Sequence, residues 1–337
     1  LPKYITFKKR KSSGRIRPEN VKSELERFVN EEAPELTWIV GRTTSRMQNE
    51  ITYGDLANAI RLGYVDESWI RSWQQEYSEL VRDHLGPAWE TAITAAAHEV
   101  QTTFGLGAIN ITARHIREYV DHHSAEFVTN CTNTQREAMR AMIRRAAMTT
   151  DRSVDDLAMV IRPTIGLTRP QSNALVSYYE ELRADGYTSD EAKKMQLKRA
   201  AKMHRQRAGV IAQYELADAY NAGFTAEVRE AMSSGALPTL RKTISTSGLP
   251  NVCDVCAALE GVVVDWDGNF TIPENVKGKR NGKSSAELQK QLDKMFHKDR
   301  PPFHPNCLCS LKTEKANDYV VPPGDNTQKG NNMHEAF

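Results

Sequence analysis

Two short cysteine-rich segments, far apart in the chain, constrain its fold more than any other feature. Cys253-Asp254-Val255-Cys256 is followed, after 47 intervening residues, by His304-Pro305-Asn306-Cys307-Leu308-Cys309. A C-x-x-C turn delivers two thiolates from one knuckle, and a distant H-x-x-C or C-x-C delivers the rest of a tetrahedral zinc shell. The chain between them must therefore fold back on itself. Five donors compete for four places; the spacing favours Cys253, Cys256, His304 and Cys307, with Cys309 as the alternative ligand. Pro301, Pro302 and Pro305 stiffen the second knuckle and reduce the ordering cost of ligation. A redox C-x-x-C pair needs no second knuckle, and the strand–helix setting of that chemistry is missing. Four protein ligands leave no position for a substrate water, so such a Zn2+ is structural. Apparent binding energies of roughly 10–16 kcal/mol would hold together a module with little core of its own.

Cysteine number points the same way. The chain has five cysteines, an odd count that a fully paired disulfide framework does not produce. The fifth, Cys131, lies in a helical stretch and reads as a small half-buried core residue.

Upstream of the knuckles the pattern is helical from Pro18 to about Ser234. Trp69, Ile70, Trp73, Tyr77, Leu80 and Val81 recur at helical spacing behind a capping Asp66, and Gly86-Pro87 should end or kink that helix. Further helices are expected over Trp89–Thr103, Thr112–Cys131, Thr134–Met148 and Ser153–Ile161, the last capped by Ser153. Thr168 caps a helix carrying Leu175, Tyr178, Tyr179 and Leu182, which Asp185-Gly186 stops. Ser189 opens another, basic at first and apolar from Val210 through Phe224. Beyond Ser233-Ser234-Gly235 the texture changes. Thr239–Thr246 and Gly261–Asp265 read as strands, Asp267-Gly268 as a turn, and Pro273–Ser285 as a loop. A short helix capped by Ser285 follows, with Leu288, Leu292, Met295 and Phe296 on one side, ended by Pro301-Pro302.

The fold class is therefore mainly α, a multi-helix body carrying a small α+β zinc-binding C-terminal module. The expected divisions are a flexible basic arm (1–17), an N-terminal helical region (18–105), a helical body (106–235), the zinc-stapled module (236–315) and a disordered tail (316–337).

Charge is unevenly spread beneath a net +2. Residues 1–17 carry seven Lys/Arg and no acid, residues 18–190 have 17 basic against 26 acidic residues, and residues 191–337 have 21 against 17. Two segments are thus basic enough to meet nucleic acid or an acidic partner: the arm, with Lys8, Lys9, Arg10 and Lys11, and the helix from Lys193 to Arg207, with Lys198, Arg199 and Lys202. The seven cations of that helix fall all around it in this reading, so no single nucleic-acid face is evident. The acidic body argues against a chain that wraps DNA along its whole length. No window approaches eighteen apolar residues, so no membrane span is expected. The basic first residues lack an apolar h-region and a small-residue cleavage site, so no secretory signal is expected there.

Enzyme patterns are incomplete. Ser245-Thr246-Ser247 half suggests an ADP-ribosyltransferase, but no E-x-E follows it. Val263–Asp267 lacks the histidine that a zinc-stapled nuclease hairpin requires, and there is neither a P-loop nor a G-x-S-x-G. His122, His123 and His297 stand apart in sequence from carboxylate and nucleophile partners and read as surface residues. No catalytic residue and no small-molecule substrate is expected.

Three ordered motifs resemble one family. They are Arg207-Ala208 with Ile211-Ala212, Glu215, Ala219 and Asn221-Ala222-Gly223; Cys253-x-x-Cys256-Ala257-Ala258-Leu259-Glu260-Gly261; and Pro302-Phe303-His304-Pro305-Asn306-Cys307-x-Cys309. Together they resemble the phage minor head proteins, the head-morphogenesis family typified by the F protein of phage Mu. Gly166-Leu167-Thr168-x-x-Gln171 is similar to the family's segment before its long helices, so the likeness spans about residues 110–315. Gln213-Tyr214 replaces the family's usual Arg-Thr, and Leu308 replaces the arginine of its C-R-C, so no role of those arginines carries over. The resemblance implies a structural protein of the virion, at the capsid interior or portal vertex. It would be made in the host cytoplasm during assembly, meet the portal protein, the head shell and packaged phage DNA, and assist head assembly or genome delivery. Arg207, Glu215 and Asn221 match the motif as members either of an internal polar network or of a partner contact.

Overall fold

The computed structural model describes residues 23–107, 113–149, 152–247 and 252–315. The chain is mainly helical through residue 233, with a small three-stranded sheet and a Cys/His cluster near the C-terminus. The basic arm and the C-terminal tail lie outside the described residues.

Helices α1 (Glu24–Glu50), α2 (Tyr53–Leu62) and α3 (Glu67–Leu80) begin at side-chain caps from Ser23, Thr52 and Asp66. Each cap satisfies an N–H that the first helical turn leaves without a partner. All six residues of the α3 stripe are buried, Trp73 completely. At Gly86-Pro87 the chain bends without stopping. A π-helical turn, Val81–Leu85, joins α3 to α4 (Gly86–Phe104), and the Gly86 N–H reaches back to the Val81 carbonyl. Pro87 has no N–H to give its own turn, so the wider turn absorbs the mismatch.

Helix α5 (Ala113–Ala147) is one helix where the sequence predicts two. The expected break at Thr132-Asn133 is bridged by tertiary contacts. Thr132 is buried, and Gln135 accepts a hydrogen bond from the Tyr77 hydroxyl at 2.8 Å. Helices α6 (Val154–Ile161) and α7 (Arg169–Ala184) start at Ser153 and Thr168 as expected. Helix α8 (Ser189–Ser233) is capped by Thr188, one residue earlier than the sequence suggests, through a reciprocal box with Glu191. It is a single 45-residue helix, about 67 Å long at 1.5 Å per residue.

That helix is the spine of the molecule. Its buried side is rich in alanine, including Ala192, Ala200, Ala208, Ala212 and Ala219, so neighbouring helices approach closely. Helices α1 and α4 pack along it, α7 covers its first half, and β3 touches its far end. The apolar core is continuous from Leu25 and Trp73 through Tyr220 to Phe270 and Phe303. Residues of the expected regions 18–105, 106–235 and 236–315 all contribute to this core.

The C-terminal module holds β1 (Leu240–Ser245), α9 (Asp254–Leu259), β2 (Val264–Asp265), α10 (Ser285–Leu292) and β3 (Ser310–Lys315). The sheet order is β2-β1-β3, antiparallel throughout, with Leu240 opposite Lys315 and Ser245 opposite Ser310. Strand β3 was not evident from the sequence, because its ladder partner lies some seventy residues upstream. Only Val264–Asp265 of the expected second strand pairs. Helix α10 is capped by Ser284, not Ser285, and ends at Leu292, well before Pro301. Leu288 and Leu292 are buried, whereas Phe296 is exposed because the helix has already ended.

Candidate metal centre

The first knuckle is built by a helix start. Cys253 is the N-cap of α9, and its Sγ accepts from the Cys256 N–H at 3.3 Å, so both sulfurs face the same side. Asp254, next to it, accepts from the N–H groups of Arg280 and Asn281 at 2.9 and 3.3 Å. This ties the Pro273–Ser285 loop beneath the knuckle. Gly278 allows the close approach, since a Cβ would sit 2.8 Å from the Asp254 carboxylate and push it aside.

The second knuckle is a tight turn. The Cys307 N–H donates to the His304 carbonyl at 3.0 Å, and Asn306 takes the left-handed backbone that asparagine tolerates. Phe303 anchors the turn in the core. His304 Nδ1 donates to the Pro305 carbonyl at 2.7 Å, which turns Nε2 toward the sulfurs.

The two knuckles meet. Cys256 Sγ lies 3.5 Å from His304 Nε2 and 3.8 Å from Cys307 Sγ. The donors form two triads sharing Cys256: Cys253, Cys256 and His304, and Cys256, Cys307 and Cys309, with ligand atoms inside each triad within 4.8 Å. Cys256, Cys307 and Cys309 are buried, while Cys253 and His304 are half-buried and form the outer edge. The separations are far beyond the ~2.05 Å of a disulfide, and all five cysteines of the chain are free thiols. The cluster is able to hold a metal ion.

Its thiols divide into two that are lowered and two that are raised. Hydrogen bonding from Cys256 pulls the Cys253 thiol down to about 4, with His304 adding to the effect. The Cys307 thiol is likewise lowered, first by Cys256 and then by Cys309. Cys256 is raised, because its proton serves those neighbours. Cys253 raises His304 to about 9. So many thiols cannot all ionise in one buried place without a compensating positive charge.

A second polar cluster ties this module to the helical body, and here the sequence reading needs correction. His123 and His297 are not isolated surface residues. His123 on α5 donates through Nε2 to Glu215 on α8 at 2.7 Å. His297 Nε2 lies 2.9 Å from Asp218, which also accepts from the Tyr119 hydroxyl at 2.9 Å and from Arg300. Asp218 is 1% exposed. Burial alone would raise its pKa, but Arg300 and His297 outweigh burial and hold the carboxyl well below its ordinary value. Burial raises Glu215 despite its bond to His123. Asn221, one turn beyond Asp218, donates to the Cys309 carbonyl at 3.4 Å. Glu215 and Asn221 therefore belong to an internal network. The only sequence signal for it was the spacing Glu215, Asp218, Asn221, three residues apart on one helix face; their partners lie about eighty residues or more away. His122, by contrast, is exposed.

The remaining expected residues scatter. Lys8, Lys9, Arg10 and Lys11 lie outside the described residues. Lys198 and Lys202 are exposed on α8, whereas Arg199 lies 4.3 Å over the Tyr178 ring. Thr246, from the Ser-Thr-Ser stretch, donates to Glu260 at 2.7 Å. Cys131 is half-buried, with its thiol pushed up to about 12 by desolvation, as suits an unreactive core residue. Among the described residues, no helix is long and apolar enough to cross a membrane.

No protein-family model matches this chain, and no curated protein or solved structure matches it either.

Proposed function

We propose that the chain is a structural minor head protein of a tailed bacteriophage, stapled by zinc, that associates with the portal and assists head assembly or genome delivery. The observation that carries this reading is how the resembling motifs converge. The α8 segment with Glu215 and Asn221 and the two Cys/His knuckles, separate in sequence, form one buried unit through Asn221–Cys309 and Asp218–Arg300. A family built on those motifs would need that union.

Zinc is the metal we assign. Tetrahedral zinc with ordinary bond lengths sets ligand atoms about 3.8 Å apart for two sulfurs and about 3.5 Å apart for sulfur and nitrogen. Cys256 stands at 3.8 Å from Cys307 and 3.5 Å from His304. Cys253, Cys256, His304 and Cys307 would form the shell, with Cys309 able to replace one of them from the inner triad. With four protein ligands the ion would supply cross-linking, and the role is architectural, not enzymatic.

Two measurements test the proposal. Purified protein is expected to carry about one zinc per chain, lost together with stability of the C-terminal module in Cys253→Ser/Cys256→Ser. Protein without zinc after expression in zinc-replete medium refutes the metal assignment. Heads assembled with portal are expected to contain the chain at low copy; its absence from particles refutes the virion reading whatever the zinc result.

A further inference from the structure

The first half of α8 carries seven cations, and the fold sorts them into two groups. Lys193 is paired with Asp156 at 3.0 Å, Arg199 stacks on Tyr178, and Arg207 is half-buried. The other four, Lys194, Lys198, Lys202 and Arg205, are exposed and have no ion-pair partner among the described residues. Their spacing of four, four and three residues places them within an arc of about 80° on the helix. The seven cations lie around α8, as the sequence indicates, and the fold decides which of them are engaged. Lys193 and Arg207 are half-buried, Arg199 is exposed but stacked on Tyr178, and the four exposed cations without such a partner form one stripe.

We infer that this stripe is a binding site for the phosphate backbone of duplex nucleic acid. It extends about 16 Å along the helix axis, long enough to lie across several phosphates of a duplex. Three of the four cations are lysines, compact hydrated charges that suit phosphate. A protein partner fits less well, because lysine is depleted in protein interfaces and this stripe has no large apolar residue to seat at an interface centre. Single strands fit less well too. They bind on exposed aromatic platforms, and none of the large exposed hydrophobic side chains lies between Lys194 and Arg205. The nearest acid at the start of the stripe, Glu191, is occupied in capping Thr188 at 2.7 and 2.9 Å. No side chain here reads bases, so binding is independent of sequence.

The test uses the full chain and a fluorescent mixed-sequence 20-base-pair duplex, with anisotropy measured between 50 and 200 mM NaCl. Replacing Lys194, Lys198, Lys202 and Arg205 by alanine is expected to reduce the slope of log K against log salt by about 3.6, or 0.9 per phosphate contact. Wild-type affinity would then fall about 150-fold more than the variant's over that range. Lys198→Glu/Lys202→Glu, which also brings the stripe's net charge to zero, should weaken binding comparably, while a Lys8, Lys9, Arg10 and Lys11 alanine variant should retain the stripe's share of the slope. An unchanged slope in the quadruple variant, with its circular dichroism intact, overturns the inference. So does loss of all salt dependence in the arm variant, or loss of binding to polyglutamate without loss of binding to DNA. The site is independent of the head-protein reading, which particle composition tests separately.

Discussion

Gly223→Ala provides a test in which local helix preference and tertiary packing predict opposite signs. Gly223 lies where α8 crosses α4. A Cβ there would sit 2.7 Å from Ile93 Cα and 2.8 Å from the Ile93 carbonyl oxygen. Both are backbone atoms and cannot swing aside. Restoring ordinary contact of at least 3.4 Å requires the helices to part by several tenths of an ångström, around fully buried Trp89, Ala92 and Ala96. Overpacking of this kind costs roughly 1–3 kcal/mol, and a backbone clash belongs at the upper end. Alanine returns about 1 kcal/mol in helix propensity. The net expectation is a loss of about 2 kcal/mol. Gly209, on the same helix, is the control: its nearest neighbours to an added Cβ are Thr37 atoms at 3.9 Å. Gly209→Ala should therefore stabilise by about 0.5–1 kcal/mol. Urea midpoints, with unfolding slopes compared to confirm that compactness is unchanged, measure both. If Gly223→Ala is as stable as wild type, or both variants shift in the same direction, the close approach of α4 and α8 is refuted.

Other consequences are testable on the same protein. Asp218→Ala would leave the half-buried Arg300 and His297 without their shared carboxylate, at a cost of up to about 3 kcal/mol, visible as a lowered melting temperature. Because the Asp218 pKa is lowered in the fold, its contribution is present above the unfolded value near 4 and disappears on acidification below it; Asp218→Asn should remove that acid dependence. His204 is 2% exposed, bonded through Nε2 to the Pro163 carbonyl at 2.9 Å, and burial lowers its pKa from 6.5 to about 4. A lowered base favours the fold when neutral, so its contribution is complete above pH 6.5 and is lost as pH falls from 6.5 towards 4, about 3 kcal/mol in all. His204→Gln should flatten urea midpoints across that window; an unchanged pH profile would contradict the buried neutral imidazole.

Much of this architecture is readable along the chain because its causes are local. Asp66, Ser153 and Thr168 announce helix starts through bonds that reach only two or three residues. The α3 stripe shows its buried face in its own period. The identity and spacing of Cys253, Cys256, His304, Cys307 and Cys309 announce a clustered ligand set before any fold is known. Local rules failed where distant contacts decide. Thr132-Asn133 looks like a break, yet the packing of α3 against α5 carries one helix through it. Strand β3 exists because β1 offers it a ladder. His123 and His297 lack partners in sequence, but the approach of α5, α8 and the C-terminal module supplies Glu215 and Asp218.

The sequence by itself determined which segments are helical, where most of them begin, and that two cysteine knuckles must meet. The tertiary structure alone decided which charges are used. Lys193 is paired with Asp156 of α6 and Arg199 stacks on Tyr178 of α7, while Lys194, Lys198, Lys202 and Arg205 face water without such a partner among the described residues. Helix period and capping act within a turn of the backbone, whereas ion pairing and burial depend on which surfaces meet in space.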